Sequence, residues 1–121
     1  MKANNDLQER LLNFSVSIIK LASFLPKTSA GYAIANQIIR SACSVGANCA
    51  EAQNALSRKD FLHSINISLK ESRETLYWLR VIKSSGLITS NLLDTEIDEC
   101  DQIVSILVSS VKTLKKPISI S

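Results

Sequence analysis

Little in this sequence breaks a chain. Only 3 of its 121 residues are glycine and 2 are proline, so turn signals are sparse. With 45% hydrophobic and 21% charged residues, that scarcity describes a globular helical protein rather than a disordered or all-β one. No apolar run approaches the roughly 20 residues of a membrane span. The opening MKANNDLQER lacks the apolar core of a signal peptide, so a cytoplasmic protein is expected. Cysteine is scarce and odd in number: Cys43, Cys49 and Cys100, without CxxC spacing. Set among apolar or small neighbours, the three read as buried free thiols rather than a disulfide framework. One histidine, His63, and three scattered thiols do not make a zinc site, and no metal or other cofactor is expected. Neither charge sign dominates. The formal net charge of +3 permits an anionic partner without requiring one.

What the sequence does have is helical periodicity. It falls in four blocks, at about residues 6–24, 29–53, 57–84 and 90–115, within one domain spanning 1–121. In the first block Leu7, Leu11, Phe14, Ile18, Leu21 and Leu25 hold a four-three spacing on one face. Pro26 stops that helix by pushing the preceding residue out of the α region. In the second, Thr28 or Ser29 can cap, and Ala35, Ile38, Ala42, Val45, Cys49 and Ala52 form a seam of small residues around Gly46. An interior glycine costs roughly 1 kcal/mol against alanine, a cost that fits a second helix backbone passing close by. In the third, Ser57 with Asp60 forms a variant capping box, and Gly86 ends the helix. Its seam is Leu62, Ile65, Leu69, Leu76 and Leu79. The fourth has Leu93, Ile97, Cys100, Val104, Leu107, Val111 and Leu114, with acidic residues crowding its start and lysines its end, an order that suits the helix dipole.

Four helices with short connections predict an all-α fold, an antiparallel up-down-up-down four-helix bundle. Polar stripes flank the second and third seams: Gln37, Ser41, Ser44, Asn48 and Glu51 on one, Ser64, Ser68, Glu71, Thr75 and Trp78 on the other. If they face each other, Asn48 lies near Ser64, Ser44 near Ser68, and Arg40 or Ser41 near Glu71. Arg40 is then expected to pair with Glu71 or Glu74, and the Trp78 indole to donate to Glu74 or Gln37. Arg40, Asn48, Glu51, Glu71, Glu74 and Trp78 thus form a predicted structural polar network. Helices 1 and 4 carry more apolar surface than a narrow seam needs: Leu12, Val16 and Ile19, and Leu92, Ile103 and Ile106. That surplus reads either as a wide core face or as a subunit interface.

Glu71 and Glu74 lie close on a helix, yet no nucleophile with an adjacent base and no phosphate-cradling glycine loop accompanies them. Neither an enzyme activity nor a small-molecule substrate is expected. The outer stripe of helix 3 is more informative. Lys59, His63, Asn66, Lys70, Arg73, Tyr77 and Arg80 follow one another at four- and three-residue steps, so all project from one face. Four are permanent cations and none is acidic. The stripe is either a solvated face that keeps the bundle soluble or a row that follows a phosphate backbone, with Tyr77 stacking on a base and Asn66 hydrogen-bonding one.

The centre of the chain resembles a family of small bacterial four-helix-bundle proteins, some encoded inside intervening sequences of 23S rRNA genes. The resemblance is carried by Arg40-Ser41, by Ser44 through Ala52, by Ser57-Arg58-Lys59-Asp60-Phe61, and by Ser68 through Leu79. These are similar to the family patterns S-x-x-x-N-I-A-E, S-x-x-D-F and L-K-E-A-x-E-T-x-Y-W-L. Cys49 stands where isoleucine is usual and Ser72 where alanine is usual. The resemblance covers nearly the whole chain in helix order. It implies a left-handed bundle that assembles as a ring-like homopentamer, without a known enzyme activity. A related protein, the accessory variability protein of diversity-generating retroelements, shares the bundle, forms a pentameric barrel and binds nucleic acid. Two functions follow as expectations. One is a nucleic-acid-binding oligomer contacting RNA or DNA through helix 3; the other is a protein-interaction or assembly module.

Overall fold

The last three helices each begin where a capping hydroxyl accepts a backbone N–H left over at the helix start. The computed structural model describes residues 5–117, which form α1 (Asn5–Ala22), α2 (Ser29–Ala52), α3 (Arg58–Ser85) and α4 (Asn91–Lys115), without a strand among them. The end of α1 tightens before Pro26: Ser23, Phe24 and Leu25 donate to Lys20, Leu21 and Ala22, each three residues back. This 3₁₀-type closure stops α1 two residues short of the expected end. Thr28 caps α2, its hydroxyl accepting from the Gly31 N–H at 3.1 Å. Gly31 has no substitute here, because a β carbon would fall 1.8 Å from the Pro26 carbonyl oxygen. Ser57 caps α3 by accepting from the Asp60 N–H at 3.1 Å. Gly86 ends α3 at φ 72°, in the left-handed region, and Ser90 caps α4 through the Leu92 N–H.

The contacts between helices show how the chain returns on itself. Ser15 of α1 reaches Ala42 and Gln8 reaches Cys49. Ser41 of α2 meets Thr75 and Val45 meets Ser68. Ser72 of α3 meets Cys100, while Arg58 reaches Leu114. In each pair one number rises as the other falls, so successive helices run in opposite senses. Leu11, Ile18, Ile38, Val45, Leu79, Ile82 and Leu107 are sealed at the centre. Among the described residues no helix is long and apolar enough to cross a membrane.

Three features of the packing differ from the sequence expectation. Ile103, one of the surplus apolar residues read as a wide core face or a subunit interface, has no exposed surface and takes the core reading. The buried face of α4 is centred on Cys100, Ile103 and Leu107 rather than on Ile97 and Val104, which are half-buried. Gly46 does face the α1 backbone, but a β carbon there would meet Leu11 at 3.5 Å, an ordinary contact, so alanine fits. Lastly, hydroxyls lie inside the α2–α3 contact itself. Ser41, Ser68, Ser72 and Thr75 are fully buried. Ser68 donates to the Val45 carbonyl at 2.6 Å. The Thr75 hydroxyl lies 2.8 Å from both the Ser41 hydroxyl and the Glu71 carbonyl. Each of these groups finds its partner on backbone or on another hydroxyl, which removes the desolvation cost of burying it.

Candidate nucleic-acid interface

Two sides of α3 are taken by α2 and α4, and a third is left to solvent. On it stand Lys59, His63, Asn66, Lys70, Arg73, Tyr77 and Arg80, all exposed. No break interrupts α3 between Ser57 and Gly86. At 1.5 Å per residue the stripe therefore runs about 32 Å from Lys59 to Arg80. Among the described residues the ion pairs involve Arg10, Arg40 and Lys83. Lys59, Lys70, Arg73 and Arg80 enter none, so their charge is uncompensated at contact range.

Beside the stripe lies the polar network. Arg40 Nη1 donates to Glu71 Oε2 at 2.8 Å, and its Nη2 donates to Glu74 Oε2. The same Glu74 oxygen accepts from Trp78 Nε1 at 3.2 Å. The bonds to Glu71 and then Glu74 raise the Arg40 pKa further, so the guanidinium stays charged. Two carboxylates that would repel phosphate are thus held by a cation and turned toward α2. Tyr77 lies edge-on to Trp78, with ring centroids 5.2 Å apart and planes at 70°. Two residues expected in this network lie outside it. The Asn48 amide donates to the Ser44 carbonyl of its own helix at 2.8 Å. Glu51 is exposed, about 80° around α2 from Ser41 at 100° per residue, and so points past α3.

The six apolar residues read as surplus scatter over the molecule. Leu12, Val16 and Ile19 are 56%, 42% and 47% exposed. With Cys43, Gly46, Ala47 and Ala50 they line a groove of about 530 Å³ between α1 and α2. Leu92 is exposed on α4, outside that groove. Ile106 lines a separate cleft of about 660 Å³ with Leu7, Phe61, Ile65 and Leu114. Ile103 is core, as described above.

Several contacts escaped the sequence reading. Arg10 grips Glu99 with two nitrogens, Nε at 2.9 Å and Nη2 at 2.6 Å, and also reaches Gln102. Nothing local announces a pair 89 residues apart. One turn earlier, Glu96 carries a buried oxygen without a hydrogen bond among the described residues; burial, and then Glu99, raise its pKa. All three cysteines are free, but only Cys49 and Cys100 are buried. Burial pushes the Cys100 thiol up to about 12, helped by Asp101, Glu96 and Glu99. Cys43 is half-exposed in the α1–α2 groove, a correction to the reading of three buried thiols.

A family model described as 23S rRNA-intervening sequence protein matches residues 3–109. The chain belongs to that family. A solved structure is also similar: a protein of unknown function from the S23 ribosomal protein family of Bacteroides thetaiotaomicron, 36% identical. The likeness covers 87% of this chain and 97% of that one, with a TM-score of 0.80. No curated protein matches the chain. In this member of the 23S rRNA-intervening sequence proteins, the whole α3 stripe and the α1–α2 groove fall inside the matched residues.

Proposed function

We propose that this chain is a non-catalytic, oligomeric, cytoplasmic protein that binds nucleic acid, RNA or DNA, through the outer face of α3 and serves as an accessory or scaffold. The observation that carries the reading is the row of four unpaired permanent cations on one exposed face, with the neighbouring carboxylates of Glu71 and Glu74 already held by Arg40. A polyanion gains by releasing counterions along such a row. The α1–α2 groove, with Leu12, Val16 and Ile19, is the face we assign to self-association. The family resemblance implies a ring of five. Assembly multiplies the stripe, so modest binding per copy sums to firm binding by the whole.

The test is fluorescence anisotropy with a structured RNA and a duplex DNA across a salt series. If all four cations meet phosphate, log K falls with log salt at a slope of about −3.6 on duplex DNA. The double variant Lys70→Glu/Arg73→Glu is expected to abolish binding and leave assembly intact. A second reading, a protein-interaction module, draws on the exposed apolar groove. It predicts no nucleic-acid binding even at low salt and an interaction that barely responds to ionic strength.

A further inference from the structure

We infer that Tyr77, between Arg73 and Arg80, is a stacking platform for an unpaired base, so that the α3 stripe takes a single-stranded polynucleotide in preference to a duplex. This rests on the nucleic-acid reading above and narrows its ligand class. Tyr77 is 60% exposed, so much of its ring is open to solvent. Arg73 stands four residues before it and Arg80 three after. They flank the ring along the axis at about 6 Å and 4.5 Å, placed to hold the phosphates on either side of one nucleotide.

The ring is also braced. Its neighbour Trp78 is fixed by the indole bond to Glu74, and Glu74 by Arg40 of α2. The chain of contacts from α2 to Tyr77 sets the ring before any ligand arrives, which lowers the ordering cost of binding. Duplex bases bury their faces in their own stack, whereas every unpaired base offers a π-face to an aromatic ring. A lone tyrosine on a convex helix therefore discriminates by strandedness rather than by sequence. His63 and Asn66 lie on the same face, toward Lys59, and continue a polar track.

The experiment uses the full chain with short labelled single strands of RNA and of DNA, and with the matching duplexes, at low salt. Anisotropy gives affinity. The fluorescence of Trp78, the one tryptophan, reports events at the adjoining Tyr77 ring. Single strands should bind more tightly than duplexes and should alter Trp78 emission. Tyr77→Leu should lower single-strand affinity about 5- to 150-fold, leave duplex affinity within twofold, and abolish the emission change. Tyr77→Phe should keep both. Preference between the RNA and DNA strands identifies the source of the polynucleotide, and either preference supports the proposal. Unchanged single-strand affinity in Tyr77→Leu overturns stacking, as does an equal loss in Tyr77→Phe. If Lys70→Glu/Arg73→Glu still abolishes binding in those cases, the phosphate-binding reading survives alone. Absence of binding by any strand at low salt overturns both.

Discussion

Helices α2 and α3 meet across buried hydroxyls, with Arg40 pairing to Glu71 and Glu74 at the edge, whereas α1 and α4 meet through a guanidinium and a carboxylate beside an open cleft. At the first seam Ser41, Ser68 and Thr75 are short enough to let the backbones close, and their protons go to carbonyls or to one another. These hydroxyls are fully buried among apolar neighbours. At the second, Arg10 and Glu99 are long and each about one-third exposed. Beside them lies the cleft walled by Leu7, Phe61, Ile65 and Ile106. Polarity alone does not decide whether a helix pair is tight; what fills the space between the backbones does. The exposed stripe of α3 stands on the same helix as buried hydroxyls of the tight seam.

The same substitution placed at each seam breaks this comparison most sharply. Ser68→Leu inserts bulk where there is no space and is expected to cost about 3 kcal/mol. Ser110→Leu, in the cleft wall, is expected to change stability by less than about 1 kcal/mol, in the stabilising direction. Urea midpoints at fixed protein concentration measure both. Equal losses would show that the α1–α4 side is as closely packed as the other. Next in size is Arg40→Met, which strands a Glu71 carboxylate only 10% exposed. It should cost about 1–2 kcal/mol, less than a fully buried pair because Arg40 itself is 47% exposed. Arg10→Met at the open seam should cost less than about 1 kcal/mol. A reversed order would overturn the ranking of the two seams.

The smallest effect belongs to Glu96. Its pKa is raised on folding, so the unfolded chain gives up the proton first as pH rises. The folded state then holds a carboxyl that is costly to ionise, and stability falls as pH climbs through the carboxylate range. Glu96→Gln removes that cost at pH 7. It should raise stability there by less than about 1 kcal/mol, read as a higher thermal midpoint, and the gain should vanish in acid, where the wild-type carboxyl is protonated too. A constant gain across pH would show that charge is not the cause.

Much of this was legible in the chain. Caps and breakers are local, so Thr28, Ser57, Pro26 and Gly86 placed the helix ends within about two residues. The Arg40 pairing with Glu71 and Glu74 could be read because two periodic stripes on adjoining helices leave few registers. The outward row of α3 followed from spacing alone. Asn48 was harder, since its amide can bond back to its own helix and nothing in the spacing says which it will do. Ile103 stayed open between core and interface because a 3.6-residue period defines a stripe but not the direction in which packing rotates it. The need for Gly31 came from a carbonyl five residues earlier, and the Arg10–Glu99 pair from opposite ends of the chain. Neither leaves a periodic trace.

The unequal cover over the three cysteines makes the native chain its own reporter. Cys49 and Cys100 are sealed, and Cys43 opens into the groove beside Leu12 and Val16. A thiol-reactive dye applied to the unaltered protein should therefore attach once, at that groove. Whatever closes over the groove will slow the labelling. Its rate across dilutions turns the covering of this surface into a clock that can be read without changing a residue.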